Sequence, residues 1–244
     1  MSYEYEPVGI IRSCFSDKFG TPRQSGLTPA ATGTLELLPP YDQPETVRGL
    51  EGFSHLWLVF VFHQCAEKGW HPTVRPPRLG GNQRLGVFAT RSPFRPNSLG
   101  LSAVRLLGVD TNGGVRLRLG GLDLIDGTPV LDAKPYVAYA DSLPQAKCGF
   151  ATDPPAPLLK VSFSEEADEA VEALDSSHPN LRQLVEEVIR LDPRPAYRQG
   201  DETDRVYGMV LHGLEIRWSV AGDTAFVTSI GGKDDPCIKR QGVK

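Results

Sequence analysis

Seven short runs rich in Val, Ile, Leu, Phe and Thr crowd the first 140 residues, with few helical stretches between them. They are Val8 to Cys14, Thr34 to Leu38, Phe53 to His63, Leu85 to Thr90, Leu101 to Val109, Val115 to Leu119 and Pro129 to Val137. Gly, Pro, Asn and Asp punctuate them. Asn112-Gly113-Gly114 reads as a hairpin turn and Asp126-Gly127-Thr128-Pro129 as a second tight turn. So many short strands in succession predict a mainly β structure, a closed or nearly closed antiparallel barrel.

The texture then changes. Ser142 to Pro157 is Pro- and Ala-rich and weakly patterned, as a linker is. Beyond it Ser164 is placed to cap a helix whose first turn holds Glu165 and Glu166, with Ala167, Ala170, Val171 and Leu174 on one face. A second helix is predicted from Pro179, with Leu181, Leu184, Val185, Val188 and Leu191 at helical spacing, ending before Pro193. Strands are predicted over Val206 to His212, Glu215 to Val220 and Thr224 to Ile230. The expected organisation is a barrel over 1–145, a linker over 146–157 and a small α+β C-terminal domain over 158–244.

The longest apolar run, Leu56 to Phe62, is far shorter than the roughly 20 residues needed to span a bilayer. The first residues, MSYEYEPVG, lack the basic and apolar regions of a signal peptide, so a cytoplasmic protein with no membrane partner is expected. The four cysteines are scattered without a Cys-x-x-Cys pair, and the five histidines lack ligand spacing, so the expected number of metals is none. Net charge is −4, which argues against a generally basic nucleic-acid binder. The distribution is uneven, however. From Lys68 to Val109 there is no Asp or Glu, while Lys68, Arg75, Arg78, Arg84, Arg91, Arg95 and Arg105 supply seven positive charges, leaving −11 on the remainder. Such segregation makes a local footprint for phosphate or carboxylate, unless these arginines pair with acids elsewhere in the fold.

Within that stretch, Pro93 and Pro96 fix φ and push Ser92 and Arg95 out of helical conformation. The result is a stiff loop with projecting guanidinium groups at Arg91 and Arg95, either an anion-binding loop or a rigid connection with solvated arginines. Gly80-Gly81-Asn82 permits close backbone approach to a ligand. Thr21 to Gly26 is a second polar loop. His63 and Gln64 end a long apolar strand, where they stand either at a ligand-binding rim or in the core. Asp123 and Asp126 place two carboxylates at a strand end and turn, either for a ligand or as turn residues bonding their own backbone. Asp192 to Arg198 sets Tyr197 between Arg194 and Arg198, an arrangement suited to a phosphate and a stacked base, or simply to ending a helix. No dinucleotide fingerprint, Walker loop, nucleophile elbow or zincin motif is present. Residue chemistry alone gives an anion-recognising β-barrel.

Taken together, RLGGN, GVFATRSPFRPN, GFSHLWLVFVFH, DGTPVLDAKPY and DPRPAYR resemble the bacterial TrmO family, whose barrel is called TsaA-like, from about Val8 to Trp218. The resemblance implies an S-adenosylmethionine-dependent methyltransferase without a Rossmann fold. The family methylates N6 of threonylcarbamoyladenosine next to the anticodon of threonine tRNA, as a homodimer. Carried over to this sequence, its cofactor contacts fall on Pro22, Arg23, Gln24, His63, Gln64, Arg91, Leu101, Asp126, Gly127, Thr128 and Pro129. The sequence leaves the general base open, with His63 and Asp126 as candidates and substrate-driven deprotonation as the alternative. Arg95, Arg194, Tyr197 and Arg198 are assigned to tRNA. The competing reading is a non-catalytic anion- or RNA-binding barrel.

Overall fold

A computed structural model of the chain describes residues 3–194 and 205–232. Its first half is a closed barrel of six strands. These are β1 (Gly9–Ser13), β2 (Thr32–Leu37), β3 (His55–Val61), β6 (Leu99–Asp110), β7 (Arg116–Gly120) and β8 (Pro129–Pro135), and β4 (Thr73–Val74) and β5 (Leu85–Gly86) form a separate small ribbon. The barrel order is β1-β2-β7-β6-β3-β8, every pairing antiparallel, with β8 returning to β1. Closure follows from alternation, because each strand sends every second residue inward. Leu56, Leu58 and Phe60 of β3 pair with Val104, Ser102 and Gly100 of the neighbouring β6 on the inward face, joined there by Ile11, Leu35, Leu117, Leu119 and Val130. Gly100 is required at its position. A Cβ there would lie 2.2 Å from the Phe60 ring, which fills the space a side chain would take.

Two stretches differ from the sequence expectation. Leu85 to Thr90 is only briefly extended, because Val87–Ala89 curls into a 3₁₀ turn that the Thr90 backbone and hydroxyl close by donating to the Val87 carbonyl at 3.1 and 2.9 Å. His63 does not end a strand. It opens α1 (His63–Ala66), a single helical turn that leaves β3 at the barrel rim. The connection from Phe62 to Ser98 joins two neighbouring barrel strands and projects as an arm.

After α2 (Ala138–Asp141) comes the stretch 142–157, exposed except at a half-buried Ala151. The C-terminal domain is a four-stranded sheet, β9 (Lys160–Phe163), β10 (Tyr207–Leu211), β11 (Leu214–Ala221) and β12 (Thr224–Gly232), in the order β10-β11-β12-β9. Two helices, α3 (Glu165–Leu174) and α4 (Leu181–Arg190), pack on it. Ser164 caps α3, its hydroxyl accepting from the Ala167 amide at 3.1 Å. α4 begins after Asn180, whose φ of 68° sets the turn, two residues later than Pro179. β9, parallel to β12, is a strand the sequence did not announce.

The second hydrophobic core reaches back into the barrel half. Cys14, Phe15 and Ala31 are buried in it beside Leu184, Val188, Met209, Leu211 and Trp218. Phe15 bridges Leu211, the His212 amide donates to the Cys14 carbonyl at 2.8 Å, and the Ala30 amide donates to Glu187 Oε2 at 2.8 Å. Residues 14–31 are therefore shared between the two halves.

Candidate functional site

The rim is built from loops that the barrel strands deliver to one end. Residues 14–31 leave β1, α1 and the arm leave β3, and the segment Gly121 to Thr128 leads into β8. Residue 24 meets residue 91 there, as the Arg91 guanidinium donates to Gln24 Oε1, which itself belongs to a loop whose Gln24 amide folds onto the Arg23 carbonyl. Pro22 is buried beneath. Partial burial lowers the Arg23 pKa from its usual value, opposed by the charge of Asp192. Leu101 stands on the outer face of β6, 55% exposed, while its neighbour Ser102 points inward.

Ser102 donates its hydroxyl to Asp123 Oδ2 at 3.0 Å. The other oxygen of Asp123, Oδ1, is out of contact with solvent and has no hydrogen-bond partner among the described residues. Burial pushes this carboxyl up to about 6, against the pull of the Ser102 hydroxyl, the amides of Asp123 and Ser25, and the Arg91 charge. A buried carboxylate with one orphaned oxygen is costly, so its place between the Gln24 and Arg91 loops marks a site rather than a frame.

The turn after it is mainly a brace. Asp126 is exposed, yet its Oδ1 accepts from the Ser13 amide at 2.9 Å. Gly127, at φ 76°, donates to the Ile11 carbonyl at 2.8 Å, and the buried Thr128 hydroxyl donates to Ile125 at 2.6 Å. Pro129 pairs with Ile10. This turn locks β8 to β1 and leaves Asp126 tied to backbone. His63 is half-buried at the start of α1, with Gln64 exposed beside it.

None of the seven charged residues from Lys68 to Arg105 forms a salt bridge among the described residues. Among the described residues, the alternative in which they pair with acids elsewhere finds no ion pair. Their roles divide. Arg91 reaches across to Gln24. Arg95 turns back on its own loop, donating to the Thr90 carbonyl at 2.7 Å and the Val87 carbonyl at 3.3 Å, with its guanidinium 5.7 Å from the Phe88 ring centre. Arg105 donates to the Pro29 carbonyl at 2.8 Å. Arg75 and Arg84 are exposed, as are Trp70 at 54% and Phe88 at 76%.

Arg194 requires a correction. Its guanidinium is buried and grips Asp192 with two bonds of 2.7 and 2.8 Å, so its charge is neutralised inside the C-terminal domain and is not presented to a phosphate. Tyr197 and Arg198 lie outside the described residues. Sequence reasoning noted Asp123 only as one of two turn carboxylates and missed Ser102. The available signal was an acid inside the apolar run Leu122 to Ile125. The described residues contain no group of three or more His, Cys, Asp or Glu able to hold a metal.

A closed antiparallel barrel whose rim gathers an arginine, an amide and a buried carboxylate, beside a basic arm with no ion pair among the described residues, defines a barrel protein with a polar, charged rim. Comparison with known proteins narrows this. Residues 10–142 match the tRNA-methyltransferase O N-terminal domain and residues 156–233 the TrmO C-terminal domain. The chain is 52% identical to a tRNA (adenine(37)-N6)-methyltransferase of Escherichia coli (strain K12), over 90% of this chain and 94% of that one. It is also 52% identical to a putative S-adenosylmethionine-dependent methyltransferase of Pseudomonas aeruginosa, over 89% and 93%. A crystal structure of TrmO from Pseudomonas aeruginosa superposes with a TM-score of 0.80 at 43% identity, covering 95% of this chain and 99% of that one. The chain belongs to the TrmO family.

Proposed function

We propose that this chain is an S-adenosylmethionine-dependent methyltransferase that methylates N6 of threonylcarbamoyladenosine next to the anticodon of threonine tRNA, acting as a homodimer in the cytoplasm. The observation that carries the reading is the match of both family domains in succession along one chain, with a tRNA (adenine(37)-N6)-methyltransferase as a full-length relative.

The rim residues fit the cofactor. Arg91 is exposed and donates to a neutral amide, which suits a clamp on a carboxylate. The orphaned Asp123 Oδ1 is a buried acceptor short of a donor, at the seam between the loops of Gln24 and Arg91. Pro22, Arg23, Gln24, His63, Gln64, Leu101 and the turn from Asp126 to Pro129 are the remaining residues proposed to hold it. Bound there, S-adenosylmethionine supplies a methyl on a sulfonium that is already a good leaving group. The chain's contribution is then mostly to align the acceptor nitrogen and keep water out. The threonylcarbamoyl N6 is a weak nucleophile because its lone pair is delocalised, and loss of its proton helps. Asp126 is engaged by the Ser13 amide, so His63, without a hydrogen bond among the described residues, is the better candidate to receive it.

For tRNA, the exposed Arg75 and Arg84 with Trp70 and Phe88 on the arm offer phosphate contacts and stacking faces. Arg198 and Tyr197 remain proposed contacts. Leu99 and Leu101, 38% and 55% exposed on the outer face of β6, support a second copy as the cover of that face. The test is methyl transfer from labelled S-adenosylmethionine to threonine tRNA with and without the threonylcarbamoyl group, read by nucleoside mass spectrometry. Transfer only to the modified tRNA is expected. Equal transfer to both overturns the substrate, and cofactor-independent tRNA binding without transfer favours the non-catalytic barrel.

A further inference from the structure

Lys18 and Cys65 are 47 positions apart, yet Lys18 Nζ lies 2.7 Å from Cys65 Sγ. Sulfur ordinarily keeps its hydrogen-bond partners farther away than oxygen does, so this is a tight approach of an amine to a thiol. Both ends are held in place. The Phe19 amide donates to Asp17 Oδ1 at 2.7 Å and the Thr21 hydroxyl to the Asp17 carbonyl at 2.5 Å, and Gly20 is buried at φ 94°. Cys65 sits in α1, 2% exposed, with its amide donating to the Phe62 carbonyl at 2.8 Å. Lys18 is exposed and has no ion pair among the described residues. The chain's other described thiols differ. Burial pushes Cys14 up to about 12, which makes it inert, and Cys148 is exposed with its thiol donating to the Ala146 carbonyl at 3.4 Å.

We propose that Lys18 and Cys65 form an oxidative modification site, joined by an oxygen bridge from Nζ to Sγ when the protein meets a peroxide. One peroxide oxidises the thiol to a sulfenic acid, its other oxygen leaving as water. A second oxidises the neutral amine to a hydroxylamine, again releasing water. Condensation of the N–OH with the S–OH forms N–O–S and expels a third water. Sulfur and nitrogen each give up two electrons, and the two peroxides accept all four. Two equivalents of a reducing dithiol supply the four electrons that reverse the bond, returning thiol and amine and releasing the bridging oxygen as water.

The consequence follows from what the two residues carry. Lys18 stands four residues before Pro22 in the 14–31 loop, and Cys65 directly follows His63 and Gln64. The bridge therefore ties two walls of the rim together, whichever ligand the rim takes.

The test treats the full-length protein with hydrogen peroxide and maps it by mass spectrometry. A fragment joining the Lys18 and Cys65 segments is expected, heavier than their sum by one oxygen and lighter by two hydrogens. It disappears with dithiothreitol and is absent from Lys18→Arg and Cys65→Ser. Amides between Ser16 and Gly26 are expected to exchange about tenfold more slowly in the bridged form than in Lys18→Arg treated alike. Cys65 recovered as a free thiol or sulfenic acid with Lys18 unmodified overturns the site. A joined fragment lacking the oxygen, a direct N–S bond, overturns the bridge. Unchanged exchange overturns the restraint on the loop.

Discussion

Replacing Asp123 by Asn isolates the energetic cost of the rim. The carboxyl is at about 6 in the folded protein against 3.8 unperturbed. At about 1.4 kcal/mol per pH unit, that gap corresponds to about 3 kcal/mol. The sign is set by proton binding. Between those two values the folded chain holds a proton that the unfolded chain has lost, so this group stabilises the fold as pH falls and destabilises it as pH rises through 6. Above pH 7 the full penalty applies, because the ionised oxygen Oδ1 has no partner among the described residues. Asn keeps the shape and can still accept from Ser102 without carrying the charge. The stability difference between Asp123→Asn and wild type should therefore grow by about 2.5 kcal/mol from pH 4 to pH 8, equivalent to about 5–10 °C in Tm for a chain of this size. Urea titrations of the two proteins in parallel measure it, and all other titrations cancel in the difference. A difference that does not vary with pH would refute the reasoning, since it would mean that Asp123 is solvated or paired when ionised.

Arg91→Ala removes a charge-assisted clamp and should weaken S-adenosylmethionine binding about 10- to 150-fold by calorimetry, with unchanged stability. Gly100→Ala should destabilise by about 1–3 kcal/mol in a denaturant titration, because the new methyl and the Phe60 ring compete for one space. Arg194→Ala leaves Asp192 buried and unpaired, so a loss of about 3 kcal/mol is expected in thermal unfolding. The salt dependence of tRNA binding should be unchanged by Arg194→Ala, whereas Arg75→Ala or Arg84→Ala should flatten its log–log slope by roughly 0.7–0.9.

The barrel strands were legible because they are short runs rich in apolar and β-branched residues bounded by turn residues with a mechanism, such as Gly113 and Gly114 at φ 70° and 106°. β9 was not, since four residues directly after a Pro-rich stretch carry too little periodicity to separate from linker, and its pairing partner lies 64 residues later. Val87 to Thr90 misled because its residue types favour strands, while a local side-chain bond to the Val87 carbonyl decided its shape. Arg91 could be found from prolines and charge. The Ser102–Asp123 contact could not, because it exists only once β6 and the segment before β8 face each other inside a closed barrel.

Residues 14–31 complete one core and frame the rim of the other. Two stretches that look separable along the chain are thereby thermodynamically a single unit. Loosening the C-terminal sheet uncovers Phe15 and slackens the loop that carries Gln24, so melting should appear as one calorimetric transition. The same sharing makes the two halves partners in linkage. Whatever grips the C-terminal domain and whatever fills the rim act on one segment, and each must alter the affinity of the other by the same factor. Communication between them needs no moving hinge, only a loop that belongs to both.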